Sequence, residues 1–250
     1  MGAQVEDVGG NGDQGRTYVF SGADGSLLFS LDTPNPQVHA YFGRSVAMGD
    51  VNDDGKADIA VGADGEAVGG TSYQGRAYVF SGADGSLLLT LDMPNPKAYS
   101  SFGSSVAVGD VNDDGKADIV VGAKFEEVGG NTNQGRAYVF SGAEGSLLLT
   151  LDMLIPQANA WFGWSVVVGD VDGDGKRDIA VGASGEDVGG NADQGRTYVF
   201  SGANGFLLLT LDTPNPQEGA GFGWGLAIVD VNTDGRGDIA VGAYSWDPSG

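Results

Sequence analysis

The sequence predicts an all-β fold, a β-propeller built from four four-stranded blades. One motif recurs every 60 residues over nearly the whole chain, which is the signature of a repeat architecture. Each unit contains short β-forming runs separated by Gly, Pro, Asp and Asn. No long segment has the 3.6-residue apolar period or the capping residues of a helix. Sixteen short strands in four equal groups favour radial repetition, because that arrangement leaves few exposed sheet edges.

Each repeat unit contains four strand segments. In the first unit they are residues 15–21, 27–31, 42–48 and 58–61. The first two are joined at Asp24-Gly25, a dipeptide typical of a hairpin turn. Pro34 and Pro36 end the second segment, because proline cannot donate to a sheet ladder. The third segment leads into an acidic loop, and the fourth leaves it.

The phase of the repeat predicts how the propeller closes. The expected blades are residues 42–92, 102–152 and 162–212, with a fourth assembled from 222–245 and 4–32. This two-plus-two closure would join the chain ends and leave no unpaired edge. Residues 1–250 would then form a single domain. We expect a monomer rather than a dimer, with the larger two-chain ring as the alternative.

Composition excludes several classes of function. The chain has 12 Lys and Arg residues against 34 Asp and Glu residues, a net charge of −22, which argues against a nucleic-acid partner. The absence of cysteine excludes disulfides, thiol nucleophiles and cysteine-based zinc sites. No run of 18 apolar residues predicts a membrane span. Met1 leads directly into repeat sequence, so no signal peptide is visible, as in a mature secreted domain expressed without its leader.

The acidic loop has the pattern of a calcium site. Oxygen-bearing side chains stand at its positions 1, 3, 5 and 9, and glycine stands at position 6. Calcium takes six to eight oxygen ligands, and an EF-hand would need a Glu at position 12, where Val61 stands. The predicted ligands of the first loop are Asp50, Asn52, Asp54, Asp58 and the backbone carbonyl of Lys56. The alternative is an acidic turn that binds nothing.

Agreement among the four loops favours the metal site over a simple turn. All four copies keep the oxygen positions, whereas position 4 varies through Asp53, Asp113, Gly173 and Thr233.

Three features together resemble the FG-GAP repeat. They are Phe42-Gly43, the loop 50–58, and Val61-Gly62-Ala63 followed by a Gly-Arg-Ala-Tyr-Val-Phe type of strand. These repeats build the propellers of integrin α subunits and of many bacterial surface or secreted proteins. The resemblance implies Ca²⁺ binding, about four ions with one per repeat, and an extracellular or cell-surface location. The chain departs from the family in two ways. It has four units, whereas integrin propellers have seven, and the usual proline after Gly-Ala is replaced in every unit.

The resemblance carries the ligand pattern to all four loops. The implied side-chain ligands are Asp50, Asn52, Asp54 and Asp58; Asp110, Asn112, Asp114 and Asp118; Asp170, Asp172, Asp174 and Asp178; and Asp230, Asn232, Asp234 and Asp238. The implied backbone ligands are Lys56, Lys116, Lys176 and Arg236.

The face opposite the metal loops is the predicted ligand face. Its proline-rich crossovers and Gly-Gly loops vary between units, whereas the metal loops barely change. The aromatic residues that break the repeat there are Tyr41, Tyr99, Trp161, Trp164, Phe125 and Trp246. We expect a protein or carbohydrate ligand on this face. The alternatives are variation without a function and, for Trp164 and Trp224, packing in the central channel.

Catalysis has little support in the sequence. His39 is the only histidine, and no pair of carboxylates is singled out as an acid and a base. The predicted function is therefore a calcium-binding, rigid ligand-binding or adhesion-type module, not an enzyme. The alternatives are a structural or engineered repeat scaffold without a natural ligand, and a lectin or polysaccharide-active propeller.

Overall fold

Strands make up the regular structure of this protein. A computed structural model describes residues 1–244, and no helix within that range is long and apolar enough to cross a bilayer. The strands are β1 (Gly2–Ala3), β2 (Arg16–Phe20), β3 (Leu27–Leu31), β4 (Phe42–Gly49), β5 (Asp58–Ala63), β6 (Arg76–Phe80), β7 (Leu87–Leu91), β8 (Phe102–Gly109), β9 (Asp118–Ala123), β10 (Arg136–Phe140), β11 (Leu147–Leu151), β12 (Phe162–Gly169), β13 (Asp178–Ala183), β14 (Arg196–Phe200), β15 (Leu207–Leu211), β16 (Phe222–Val229) and β17 (Asp238–Ala243).

Three complete blades occupy the middle of the chain. The strands β4–β7, β8–β11 and β12–β15 each form a four-stranded antiparallel sheet in chain order. This confirms the predicted all-β, propeller-type blades. The first strand of each blade has a register shift after its Phe, between Phe42 and Val46 in the first blade, and the outer pair has another between Val79 and Phe80.

The second strand of each blade lies deepest in the core. All six residues of β5, β9 and β13 are buried, which explains their continuous apolar sequence. The aromatic side chains of neighbouring strands pack around them. In the first blade, the ring of Phe42 lies 6.0 Å from Tyr78 and 5.9 Å, edge-on, from Phe80. The same triad recurs in the next two blades.

Adjacent blades meet through glycine. A Cβ atom on Gly62, Gly122 or Gly182 would overlap the backbone carbonyl of Gly103, Gly163 or Gly223 in the next blade. Only a residue without a side chain permits this backbone-to-backbone approach. The repeated contact gives successive blades the same junction.

The predicted two-plus-two closure is not formed. Within residues 1–244, β17 pairs with β16 alone, and β2 pairs with β1 and β3. The physical reason is visible at the edge of β2. Met1 exchanges backbone hydrogen bonds with Tyr18, at 2.7 and 2.9 Å, and Gly2 and Ala3 face Thr17 and Arg16. The first three residues therefore hold the positions on β2 that β17 was expected to take.

A buried glutamate in three of the four Gly-Gly loops was missed by the sequence analysis. The carboxylate of Glu126 accepts hydrogen bonds from the Tyr138 hydroxyl, at 2.7 Å, and from Nη1 of Arg136, at 3.1 Å. Arg136 also donates to the exposed Asp152, at 2.7 Å. Glu66 and Glu186 repeat the arrangement. This network fixes the loop to the third strand of its own blade.

The buried and exposed partners of Arg136 should differ strongly in their contribution to stability. Replacing Glu126→Ala leaves the buried tyrosine hydroxyl and a guanidinium nitrogen unpaired, and should cost about 3–5 kcal/mol. The control Asp152→Ala removes a solvent-exposed partner and should cost about 1 kcal/mol or less. Urea denaturation of both variants measures the difference. Equal losses would contradict this account.

Candidate metal loops and ligand face

The predicted metal loops connect the first and second strands of each blade. In the first loop, Oδ1 of Asp50 accepts the N–H of Asp53 at 2.7 Å, and Oδ2 accepts the N–H of Gly55 at 2.8 Å. Further along, the side chains of Asn52 and Asp54 each accept an N–H two residues ahead, both at 2.9 Å. Corresponding bonds occur in the other three loops. The loops thus hold their oxygen atoms in place through their own backbone.

The third loop brings three carboxylates together. Asp170, Asp172 and Asp174 each offer an oxygen atom within 4.8 Å of the others. Like charges at this spacing destabilise one another, and a divalent cation reverses that cost. Because every donor is oxygen, the set fits a hard cation such as Ca²⁺. In the other loops an Asn takes the middle position, so the carboxylate density is lower.

The aspartate at position 9 of the loop stabilises the backbone around it. Asp58, Asp118 and Asp178 are buried, and Oδ2 of Asp58 accepts the N–H of Val51 at 3.0 Å. Its Oδ1 accepts the N–H of Gly82 at 3.0 Å, which links the loop to the hairpin after β6. Asp178 does not belong to the carboxylate group of the third loop. A metal-ligand role for position 9 stays a prediction.

Position 4 of the loop has a backbone requirement that the sequence analysis missed. Asp53, Asp113 and Thr233 adopt φ angles of 62°, 63° and 63°, and Gly173 adopts 78°. This left-handed conformation suits Gly and is tolerated by Asp, but it is unfavourable for a β-branched residue. The fourth loop, with Thr233, is therefore the most strained.

The ligand face lies at the other end of the blades. Phe42 pairs with Ala63 at that end of the first blade, whereas Gly49 pairs with Asp58 beside the metal loop. The eight residues of β4 separate the two faces by roughly 25 Å.

A charged pocket occupies one half of the ligand face. It has a volume of about 340 Å³, and its lining includes Tyr41, Arg44, Asp64 and Phe125. Oδ2 of the buried Asp64 lies 3.7 Å from Nζ of Lys124 and 3.7 Å from Nε of Arg44. Its Oδ1 is buried without a hydrogen-bond partner among residues 1–244. Burial raises the pKa of Asp64 and lowers the pKa of Lys124, and their mutual attraction opposes both shifts.

An aromatic arc occupies the other half of the ligand face. Its rings follow one another with centroid separations of 6.5, 5.6, 4.3 and 5.0 Å, in the order Phe125, Trp161, Trp164, Trp224 and Tyr244. The arc joins the charged pocket at Lys124, whose Nζ lies 4.7 Å from the Trp164 ring centroid and 5.1 Å from that of Phe125. Trp224 is 41% exposed, so it is not packed inside a closed channel.

A second pocket lies against this aromatic arc. It has a volume of about 210 Å³, and its lining includes Trp161, Ser184, Asp193, Trp224 and Tyr244. The Ser184 hydroxyl oxygen is buried and lacks a hydrogen-bond partner in the described part of the chain. Buried polar atoms normally have a partner, so this hydroxyl is an exception in the wall of the pocket.

The structure assembles four of the six predicted ligand-face residues. Tyr41, Phe125, Trp161 and Trp164 line the two pockets or the arc. Tyr99 instead stacks on Tyr73, with centroids 5.7 Å apart. Trp246 lies outside the described residues.

The sequence analysis missed Asp64, Lys124 and Ser184 as site residues. The sequence contained a signal for these residues, because each replaces the proline that the resemblance predicts after Gly-Ala.

Comparison with known families and proteins agrees with the fold. The FG-GAP repeat family matches residues 42–80, 102–140 and 162–200. Integrin alpha-5 of Xenopus laevis is 33% identical over 84% of this chain, and integrin alpha-IIb of Homo sapiens is 33% identical over 88%. Phosphatidylinositol-glycan-specific phospholipase D of Rattus norvegicus is 29% identical over 91%. The chain spans only 20%, 22% and 30% of these relatives, respectively.

Two solved structures share the fold at low sequence identity. A rhamnogalacturonan lyase of Bacillus licheniformis superposes with a TM-score of 0.52 at 16% identity, over 91% of this chain and 48% of that one. The rhamnogalacturonan lyase YesW superposes with a TM-score of 0.53 at 16% identity, over 94% of this chain and 49% of that one. With the repeated blades, the matched segments and the integrin relatives taken together, the chain belongs to the FG-GAP repeat family of β-propellers and is integrin-like in sequence.

Proposed function

We propose that this protein is a calcium-stabilised binding module that takes a carbohydrate chain on the face opposite its metal loops. The observation that carries the proposal is the continuous aromatic arc between two pockets that each contain an unpaired, buried polar oxygen. Ligand pockets typically combine aromatic walls with a few fixed polar groups. Varied loops carried at one end of a rigid set of blades suit a binding role.

Calcium is the metal that the loops fit best. About four ions are expected, one per loop, held by the side chains at positions 1, 3, 5 and 9 and the carbonyl at position 7. Four Ca²⁺ would add 8 positive charges and change the net charge from −22 to −14. Because its integrin relatives are cell-surface proteins, we place this protein outside the cell or at its surface.

Removing calcium should destabilise the fold. A ligand that binds only the folded state contributes about 2.7 kcal/mol per site at 100 times its Kd. We expect a chelator to lower Tm by more than ten degrees and Ca²⁺ to restore it, as measured by scanning calorimetry.

Asp114→Ala should reduce by one the number of Ca²⁺ ions bound per chain in a calorimetric titration. The control Asp113→Gly, which reproduces the third loop, should leave it unchanged. A melting curve indifferent to chelator would refute the calcium assignment.

The pH dependence should reverse between the calcium-free and calcium-bound states. Burial, reinforced by the nearby Asp114 and Asp110, raises the pKa of Asp118 to about 6. Because the folded state then holds this proton more tightly than the unfolded state, stability falls as the pH rises through 6. In chelator, Tm should therefore increase when the pH is lowered from 7.5 to 5.5. In saturating Ca²⁺ it should decrease, because protons compete with the metal. The same slope in both conditions would contradict the assignment.

A sugar chain has groups that match both the aromatic arc and the charged pocket of the ligand face. Aromatic rings offer flat apolar surfaces to sugar rings, and Trp224 and Tyr244 stand at the exposed end of the aromatic arc. Asp64 and Ser184 add polar side chains to the walls of the two pockets. Arg44 and Lys124 can donate to ligand oxygens beside them.

Loss of the exposed tryptophan of the aromatic arc, Trp224, should weaken binding. We expect the wild-type protein to bind at least one soluble polysaccharide from a panel that includes rhamnogalacturonan, measured by calorimetry in millimolar Ca²⁺. Trp224→Ala should weaken that binding by about 2 kcal/mol, or roughly 30-fold. The control Tyr99→Ala removes an exposed aromatic outside the aromatic arc and should not alter affinity. Equal loss in both variants would exclude the arc as the binding site, and no binding to any glycan would favour a protein ligand or a scaffold.

A polysaccharide lyase is the second candidate, and Lys124 favours it. Burial lowers the pKa of this lysine, the change that prepares an amine to accept a proton. The lone His39 instead faces Asp13, with 3.1 Å between Nδ1 and Oδ2. Time-dependent formation of an unsaturated, ultraviolet-absorbing sugar that is lost in Lys124→Met would establish turnover. Binding without such product supports the non-enzymatic module.

A further inference from the structure

The charged pocket is built from two equivalent positions of the repeat. At the third residue of the first strand of each blade, the four copies are Arg44, Ser104, Trp164 and Trp224. At the residue after Gly-Ala, the four copies are Asp64, Lys124, Ser184 and Tyr244. The three charged copies belong to the blades β4–β7 and β8–β11, and the aromatic copies belong to the two units that follow. The charges are therefore a local feature of this pocket and not a property of every blade.

One carboxylate lies between two cations in this group. The 3.7 Å separations of Oδ2 of Asp64 from Nζ of Lys124 and from Nε of Arg44 are ion-pair distances, longer than a hydrogen bond. The Lys124 side chain is 6% exposed, so it balances the charge of Asp64 from the buried side. The Arg44 side chain is 34% exposed and lines the pocket. With all three groups ionised, one positive charge is in excess, and Arg44 presents it to the pocket.

Most hydrogen-bond donors of Arg44 are unused. Its Nη1 donates to Oε1 of Gln4 at 3.2 Å, and its side chain makes no other hydrogen bond within residues 1–244. By contrast, Arg76 donates to Glu66 at 3.0 Å and to Asp92 at 2.6 Å. A guanidinium group has five N–H donors, arranged so that two of them can hold a planar anion together. Arg44 therefore has the donors to bind an anionic group of a ligand.

Aromatic rings stand beside this guanidinium. Tyr41 and Phe125 line the same pocket as Arg44. Flat rings offer apolar surface to a sugar ring, whereas a guanidinium offers charge-assisted hydrogen bonds to a carboxylate or a sulfate ester. The combination suits a sugar residue that carries its own negative charge.

The second pocket, at the other end of the aromatic arc, has the opposite charge. Its lining includes Asp193 and, among the described residues, no lysine or arginine. Burial and the neighbouring carboxylates of Asp187 and Glu218 raise the pKa of Asp193. A further negative charge is unfavourable there, because like charges repel at short range. The two pockets therefore distinguish an acidic sugar residue from an uncharged one.

We propose that the ligand of this protein is an acidic polysaccharide, and that the charged pocket is the subsite for its anionic sugar residue. The inference rests on the proposed carbohydrate-binding function and names the chemical class of the ligand. Arg44 donates to the carboxylate of a uronic acid or to a sulfate ester, and Tyr41 and Phe125 lie beside the sugar ring. The net charge of −22 repels a polyanion from the surface as a whole, so attraction must come from a local site.

Removing the charge from the polymer tests this inference. The probes are rhamnogalacturonan, hyaluronan and a sulfated galactan, each compared by calorimetry in millimolar Ca²⁺ with the same polymer after its carboxylates are reduced to alcohols or its sulfates are removed. At least one charged probe should bind about tenfold more tightly than its neutral form, and that probe identifies the anionic group as carboxylate or sulfate. Equal affinity for both forms would overturn the inference and leave the carbohydrate function standing. Binding to neither form of any probe would contradict the carbohydrate function itself.

Variants of Arg44 assign the preference to this pocket. Arg44→Gln should weaken binding of the charged probe about tenfold and leave the affinity for the neutral form unchanged, a split that a loss of folding would not produce. Arg44→Lys keeps the charge and should retain most of the preference. The control Lys97→Gln removes the same charge from an exposed side chain at the same end of the blades and should change neither affinity. Asp64→Asn removes the carboxylate of the group and should bind the charged probe at least as tightly as the wild type. Equal weakening of both forms by Arg44→Gln would contradict the role of Arg44.

Discussion

The close backbone approach between blades is the constraint on which the rest of the structure depends. Glycine at one position of the second strand lets each blade touch the next without an intervening side chain. Because the contact recurs, every blade takes the same orientation to its neighbour. The apolar second strands are buried as a consequence, and the loops at the two ends of each strand are carried to separate faces.

The two faces of the blades differ in how much their loops vary. The acidic loops are nearly identical, and their own backbone N–H groups fix the positions of the carboxylate oxygens. The aspartate at position 9 transmits that organisation to the next hairpin. On the far face, the position after Gly-Ala varies from acid to base to hydroxyl to aromatic ring. One framework therefore supports a varied surface without changing its core.

Charge is distributed unevenly over that surface. Each metal loop carries several acidic side chains, whereas Asp64, Lys124 and Arg44 form a compact group of mixed charge beside aromatic rings. A buried carboxylate with one unpaired oxygen is costly unless a ligand or another group satisfies it. The buried glutamates of the Gly-Gly loops illustrate the opposite case, because tyrosine and arginine satisfy them fully and they serve the fold.

The sequence by itself determined the all-β class, the 60-residue unit, the strand segments and the composition of the metal loops. Strand pattern, turn residues and ligand spacing are local properties, so they can be read along the chain. Only the tertiary structure decided that Asp64, Lys124 and Ser184 share a face with the tryptophans, and that Tyr99 does not. It also decided that Met1–Ala3 takes the edge of β2, so that β17 pairs with β16 alone within residues 1–244. These outcomes depend on contacts between residues far apart in the chain, such as Gly62 and Gly103, which no local pattern records.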